Sequence, residues 1–197
     1  SNLFIGIQEG SYYKPYNPYK DVPPIYYYGS SITQGGCASR PGNNYPAVIS
    51  RKNNIDFVCL GFSGNAFGEP EMAEYIANRE MSVFVMDLDH NFSDVKMIRE
   101  RHYPFYKIIR EKNPDLPIIM VTAPAPACSY WRFKERYEVI HENYKRARAE
   151  GDDNLYFING MRMMDGEYCD MITVDGCHPN DFGFYCMARG VLEVLNK

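Results

Sequence analysis

The chain has 197 residues and a formal net charge of −4, with 45% hydrophobic and 23% charged residues. This is an ordinary globular composition, and the length suits one domain with a substantial core. Because the charge is negative and no basic block is present, nucleic acid is not an expected partner. No apolar run reaches membrane-spanning length, so no membrane span is expected either.

Residues 1–24 are predicted to form an approach segment ahead of a main domain at 25–197. Tyrosines in this segment alternate with Pro15, Pro18, Pro23 and Pro24, and such prolines favour extended chain over helix. We expect the segment to pack on the domain or to link it to a preceding domain. Its tyrosines are expected to pack against the core, and a sugar-stacking surface is the alternative.

The first strand is predicted at Ile25–Tyr28, where four apolar and aromatic residues stand in a row. Gly29 then allows a sharp turn, and Ser30 and Ser31 follow at once. A serine at such a turn can expose its hydroxyl, as in many hydrolases, although the G-x-S-x-G elbow is absent. The alternative interpretation is a strand that simply ends in a polar turn.

Strands and helices alternate along the rest of the chain. Further strands are predicted at 55–60, 82–88, 118–121 and 155–158, and helices at 45–51, 70–78, 94–112, 132–149 and 181–195. Pro104 is expected to break the long helical segment that contains it. The strands are apolar nearly throughout, which indicates helices on both faces. The pattern predicts an α/β fold: a five-stranded parallel sheet in a three-layer α/β/α sandwich.

Residues suited to catalysis follow the ends of these strands. In such sheets, ligands bind beyond the carboxyl ends of the strands. Ser31 is the candidate nucleophile, His178 the candidate base, and Asp175 the acceptor that fixes the histidine tautomer. The backbone N–H groups of Ser31 and Gly64 and the side-chain amide of Asn91 are candidate donors to an oxyanion.

Four segments of the chain resemble, in order, the four blocks of the SGNH (GDSL-type) hydrolase superfamily. The segments are Gly29-Ser30-Ser31-Ile32-Thr33, Gly61-Phe62-Ser63-Gly64-Asn65, Asp87-Leu88-Asp89-His90-Asn91 and Asp175-Gly176-Cys177-His178-Pro179. The resemblance implies a flavodoxin-like fold and a serine esterase or acylhydrolase that uses no metal or other cofactor. It also implies the same catalytic and oxyanion roles for the residues named above.

Two blocks depart from the family pattern. Ser30 stands where the first block usually has aspartate, and Asp89-His90-Asn91-Phe92 stands where the third block usually reads Gly-x-Asn-Asp. These departures motivate a hypothesis of another class, a catalytically silent carbohydrate-binding domain that keeps the fold.

The segment Gly-Gly-Cys-Ala-Ser-Arg-Pro-Gly and the tyrosine- and proline-rich lead-in are similar to bacterial members with an additional N-terminal domain. Such members tend to act on acylated carbohydrate, so the resemblance implies a short-chain ester, with acetyl on a glycan as the expected case. A thioesterase or phospholipase acting on longer chains is the alternative within enzymes. A periplasmic or secreted location is expected, with the signal peptide outside this sequence.

Three further residues are candidates for substrate binding. Arg40 follows the nucleophile in sequence, His90 neighbours Asn91, and Trp131 follows the fourth strand. Each has a structural alternative: a solvated arginine, a histidine at the rim of the site, and a tryptophan packed in the core. A zinc site at Cys169, Cys177 and His178 is disfavoured because no second matching pair accompanies them.

Overall fold

The five predicted strands form one parallel sheet. The computed structural model describes residues 4–14, 18–124, 130–166 and 168–196, with the side chains of residues 130–132 excepted. Its strands are β1 (Ile25–Gly29), β2 (Phe57–Gly61), β3 (Val83–Asp87), β4 (Ile118–Val121) and β5 (Leu155–Ile158). All neighbours pair in parallel, in the order β2-β1-β3-β4-β5. The order reverses at β1, so β1 and β3 flank the crevice where ligands bind in folds of this kind.

Helices cover both faces of the sheet. They are α1 (Ser31–Gln34), α2 (Tyr45–Asn53), α3 (Pro70–Ala77), α4 (Val95–Lys112), α5 (Tyr130–Ala149), α6 (Gly160–Met163) and α7 (Asp181–Leu195). Successive residues of β1 enter different cores: Tyr28 packs with residues of α3, α4 and α5, and Tyr27 with residues of α2 and α7. Both tyrosines are fully buried. The three-layer α/β/α sandwich is therefore confirmed.

The expected break at Pro104 is wrong. Helix α4 runs without interruption through Pro104, from Val95 to Lys112. Pro104 lies on the exposed face of the helix, while Ile98, Phe105 and Ile109 are buried on the other face. Water can satisfy the carbonyl that a proline leaves without a donor on an exposed face. Burial of the apolar face on both sides of the proline keeps the helix continuous.

The tyrosines of the approach segment that the structure describes do not pack against the core, contrary to expectation. Tyr12 is 87% exposed and Tyr13 76% exposed, and Tyr16 lies outside the described residues. The end of the segment does contact the domain, because Lys20 N donates to Asn54 O at 2.9 Å. Among the described residues, no helix has the length and apolarity needed to cross a membrane.

Candidate active site

The ends of three adjacent strands lie in one row. Gly29 of β1 is in register with Gly61 of β2 on one side and with Asp87 of β3 on the other. The loops that leave these positions carry Ser31, Gly64 and Asn91 respectively. The sheet register therefore brings three loops, distant in sequence, to the same edge.

Ser31 is the first residue of a short helix rather than part of a plain turn. Ser30 has extended backbone and caps helix α1, since its Oγ accepts from Ile32 N at 3.1 Å. Serine and aspartate both serve well at such a cap, which accounts for Ser30 at a position where the family usually has aspartate. The backbone N–H of Ser31 lies in the first turn, where helical N–H groups lack intrahelical acceptors.

Helix α1 is fixed to the sheet by a buried carboxylate. Asp87 Oδ2 accepts from Thr33 Oγ1 at 2.8 Å and from Tyr45 Oη at 3.1 Å. Asp87 is only 2% exposed, and burial raises its pKa to about 6, against the lowering effect of the two hydroxyl donors. Sequence reasoning gave Asp87 no role beyond its place in the third family block, although an acid at the end of an apolar strand was a visible signal.

Glycine at position 61 lets helix α1 approach β2 closely. A Cβ atom on Gly61 would lie 2.2 Å from the backbone nitrogen of Gln34, far inside van der Waals contact. The close approach keeps the first turn of α1, with Ser31, against the end of the sheet.

The loop before α7 is closed by hydrogen bonds between near neighbours in sequence. Asp175 Oδ1 accepts from Cys177 N at 2.9 Å and from His178 N at 2.7 Å. Thr173 and Pro179 form an antiparallel bridge, and Val174 N donates to His178 O at 3.0 Å. The loop therefore presents Asp175 and His178 on one turn, as the Asp-Gly-Cys-His sequence predicts.

The structure brings Ser31, His178 and Asp175 into one hydrogen-bonded chain. Ser31 Oγ lies 2.9 Å from His178 Nε2 across 147 residues of sequence, and His178 Nδ1 lies 2.7 Å from Asp175 Oδ2. Hydrogen bonds, first of all from the backbone N–H of His178, lower the pKa of Asp175 to about 2. Asp175 is therefore ionised at neutral pH and can accept a hydrogen bond from Nδ1–H, which leaves Nε2 as the acceptor toward Ser31. This geometry can carry out proton transfer from the serine hydroxyl.

The two other oxyanion candidates lie on the loops that flank Ser31. Gly64 has φ of +69°, a left-handed conformation that glycine adopts without strain. Asn91 Oδ1 accepts from Ala66 N at 3.1 Å. The Nδ2 group of the same amide can therefore donate to a ligand. The loop after β2 thus positions both the Gly64 backbone and the Asn91 amide.

Asp181, at the start of α7, joins the loop that follows the nucleophile to the helix that follows the base. Its carboxylate accepts from Ser39 N at 2.8 Å, Ser39 Oγ at 2.5 Å and Asn43 Nδ2 at 2.8 Å. These bonds lower the pKa of Asp181. Sequence reasoning missed this cross-link, which fixes the two loops relative to each other.

The candidates for substrate binding have different surroundings. Arg40 is exposed, and its Nε donates to Asn43 Oδ1 at 3.2 Å. His90 packs edge-on against Phe133 with ring centroids 5.3 Å apart, and its buried Nε2 has no hydrogen-bond partner within the described residues. Burial lowers the pKa of His90 to about 4, so the ring is neutral at neutral pH. The side chain of Trp131 lies outside the described residues.

A family model matches nearly all of the domain. The model of the GDSL-like lipase/acylhydrolase family matches residues 22–196. The chain belongs to this family. The resemblance found in the four sequence blocks is thereby confirmed, whereas no curated protein matches the chain.

Solved structures with this fold include esterases. A candidate GDSL-like lipase from Bacteroides ovatus is 37% identical, with a TM-score of 0.82 over 92% of this chain and 54% of that one. A salicylyl-acyltransferase from a tetracycline biosynthetic pathway is 20% identical, with a TM-score of 0.75 over 90% and 56% of the two chains. A family two carbohydrate esterase from Clostridium thermocellum, in complex with cellohexaose, is 17% identical, with a TM-score of 0.70. The match covers 93% of this chain and 66% of that one.

This chain spans about half the length of the first two of these proteins. At such low identity, the likeness to the acyltransferase and the carbohydrate esterase concerns the fold alone. The family to which the chain belongs is described as one of GDSL-like lipases and acylhydrolases.

Proposed function

We propose that the protein is a serine esterase that hydrolyses short-chain acyl esters, with acetyl groups on carbohydrate as the expected substrate. Ser31 Oγ attacks the ester carbonyl while His178 Nε2 takes the hydroxyl proton, and His178 then gives that proton to the leaving alcohol. Water attacks the resulting acyl-enzyme, with His178 again as base. The acid leaves and the Ser31 hydroxyl is restored.

One observation carries the proposal: the unbroken chain from Ser31 Oγ through His178 to Asp175, with distances of 2.9 and 2.7 Å. Nucleophile and base are within hydrogen-bond reach, and a carboxylate orients the base. A turn serine with only a structural role would not need such a partner from another loop.

The oxyanion roles are proposed on the same edge of the sheet. Tetrahedral intermediates need donors that are in place before charge develops. The backbone N–H of Ser31 at the start of α1, the N–H of Gly64 and the Nδ2 group of Asn91 are the donors that we assign. Their support is the strand register that brings these three loops together.

The exposure of the site favours a small acyl group on a large alcohol. The side chains of His178 and Asp175 are 33% and 50% exposed. A long acyl chain would need a deep apolar channel to bury it, whereas a bulky glycan can approach an open edge. The carbohydrate esterase of the same fold was captured with an oligosaccharide, and we extend carbohydrate recognition to this chain as part of the proposal.

The test combines one variant with a substrate series. Ser31→Ala should abolish hydrolysis of p-nitrophenyl acetate and labelling by a fluorophosphonate probe. Ser11→Ala is the matched control, because Ser11 is exposed on the approach segment. Wild-type activity should fall from acetyl to butyryl to octanoyl esters. A panel of acetylated oligosaccharides should release acetate.

Each alternative has its own signature. Absence of labelling and turnover in wild type, with retained oligosaccharide binding, would support the silent carbohydrate-binding domain. A preference for octanoyl esters or acyl thioesters would support the thioesterase or phospholipase alternative. Unchanged turnover by Ser31→Ala would exclude Ser31 as nucleophile.

A further inference from the structure

The loop after β3, which carries Asn91, is a tight turn with a buried acid at its start. Phe92 N donates to Asp89 O at 3.2 Å, so the turn runs from Asp89 to Phe92 with Asn91 inside it. The Asp89 side chain is 1% exposed. In the family pattern this position is usually glycine, and the acid usually follows the asparagine, where this chain has Phe92.

A single guanidinium from helix α5 holds both ends of this turn. Arg136 Nη1 donates to Asp89 O at 2.9 Å and lies 3.3 Å from Asp89 Oδ1, and Arg136 Nη2 donates to Phe92 O at 2.8 Å. The planar, forked donor set of arginine is suited to such multiple contacts, and a lysine ammonium is not. Arg136 thus fixes the turn from the residue before His90 to the residue after Asn91.

The second oxygen of Asp89 ties the turn to the next strand. Asp89 Oδ2 accepts from Ala123 N at 2.8 Å, just beyond the end of β4. The buried carboxylate therefore has a charged partner and a backbone donor, which together offset the cost of its desolvation. Three segments distant in sequence meet at this one group: the Asn91 turn, the end of β4 and helix α5.

We propose that Asp89 and Arg136 are positioning residues that hold the Asn91 amide in place for the developing oxyanion, an inference that rests on the proposed function. The pair takes the place of the glycine and the later acid of the usual family block. Neither side chain needs to touch the substrate. Loosening the turn moves Asn91 Nδ2 from the place where charge develops, and this weakens the transition state more than the bound ester.

The test measures kcat and KM per folded enzyme for Arg136→Ala, Asp89→Asn and Asn91→Ala on p-nitrophenyl acetate. We expect Arg136→Ala to lower kcat by about 10- to 100-fold with KM nearly unchanged. The double variant Asn91→Ala/Arg136→Ala should be no slower than Asn91→Ala alone, because both act through one donor. Methylguanidinium should restore part of the kcat of Arg136→Ala, and methylammonium at equal ionic strength should restore less.

A matched control lies at the amino-terminal ends of the strands, away from the candidate site. Arg110 and Asp152 form a buried pair with Nε–Oδ2 of 2.8 Å and side chains 10% and 8% exposed. Arg110→Ala should lower the thermal midpoint, as Arg136→Ala does, yet leave the kcat of the folded enzyme unchanged.

Two outcomes would overturn the inference alone: a kcat of folded Arg136→Ala equal to that of wild type, or a loss in the double variant equal to the product of the single losses. No effect of Asn91→Ala would overturn the inference together with the oxyanion role proposed for Asn91, and would leave the Ser31 mechanism standing. Full activity of Ser31→Ala in the same assay would overturn the proposed function, and the inference with it.

Discussion

Two aspartates of the candidate site, Asp87 and Asp175, have opposite pKa shifts. Asp87 lies under the nucleophile helix, and burial raises its pKa to about 6. Asp175 lies on the exposed base loop, and hydrogen bonds from His178 lower its pKa to about 2. Two hydroxyl donors do not offset the burial of Asp87, whereas N–H donors in partial solvent stabilise the charged form of Asp175.

The comparison extends to the regions around these residues. The nucleophile helix is held by long-range contacts, such as Thr33 with Asp87, 54 residues apart. The base loop is held by short-range contacts, such as His178 N with Asp175, three residues apart. The nucleophile side therefore depends on the packed core, and the base side depends mainly on its own turn.

The largest expected effect lies on the base side. His178→Ala should lower kcat by about 10⁶-fold, because the serine then has no base. Asp175→Asn should lower it less, by about 10⁴-fold, since the histidine remains but its tautomer is no longer fixed. Steady-state kinetics on p-nitrophenyl acetate measure both, and equal losses would contradict the assigned division of roles.

The second prediction concerns the pH dependence of stability on the nucleophile side. The pKa of Asp87 is about 6 in the folded protein and near 3.8 in the unfolded chain. Its contribution to the free energy of unfolding is therefore full below pH 4 and is lost as pH rises through 6. As pH rises from 4 to above 6, the free energy of unfolding of wild type should fall by about 2–3 kcal/mol relative to that of Asp87→Asn. Urea unfolding at pH 4, 5, 6 and 7 measures the difference, and a constant difference would refute the prediction.

The third prediction compares one glycine from each region. Gly61→Ala should reduce the free energy of unfolding by about 1–3 kcal/mol through overpacking against Gln34, and should also lower kcat because α1 carries Ser31. Gly176 of the base loop has φ of +81° with open space around it. Gly176→Ala should therefore cost about 1–2 kcal/mol from backbone strain, and Gly176→Asn less, since asparagine tolerates this conformation better. Denaturant unfolding of the alanine and asparagine variants at both positions separates the two causes. Asparagine should recover stability at position 176, where the backbone is strained, and should recover none at position 61, where the added side chain is overpacked.

The smallest expected effect concerns the cap of the nucleophile helix. Ser30→Ala should cost about 1 kcal/mol of stability, because Ile32 N loses its acceptor. Ser30→Asp should keep the cap and most of the stability. Thermal unfolding of the two variants checks this, and equal destabilisation by both would show that the cap is unimportant.

The amino-acid sequence by itself determined the alternation of strands and helices, the parallel sheet and the compact turn with Asp175 and His178. Apolar runs, caps and turn residues act over a few residues, so a short segment of sequence is enough to predict their effects. The same holds for the start of α7, where the Asn180 side chain accepts from Phe182 N and Gly183 N.

Only the tertiary structure decided the contacts that depend on packing. Two such contacts are the 2.9 Å approach of Ser31 Oγ to His178 Nε2 and the pairing of Asp89 with Arg136. Packing also decided that helix α4 continues through Pro104. Each depends on which surfaces the sheet and helices bury against one another. Such contacts join residues tens of positions apart, and no local pattern specifies them.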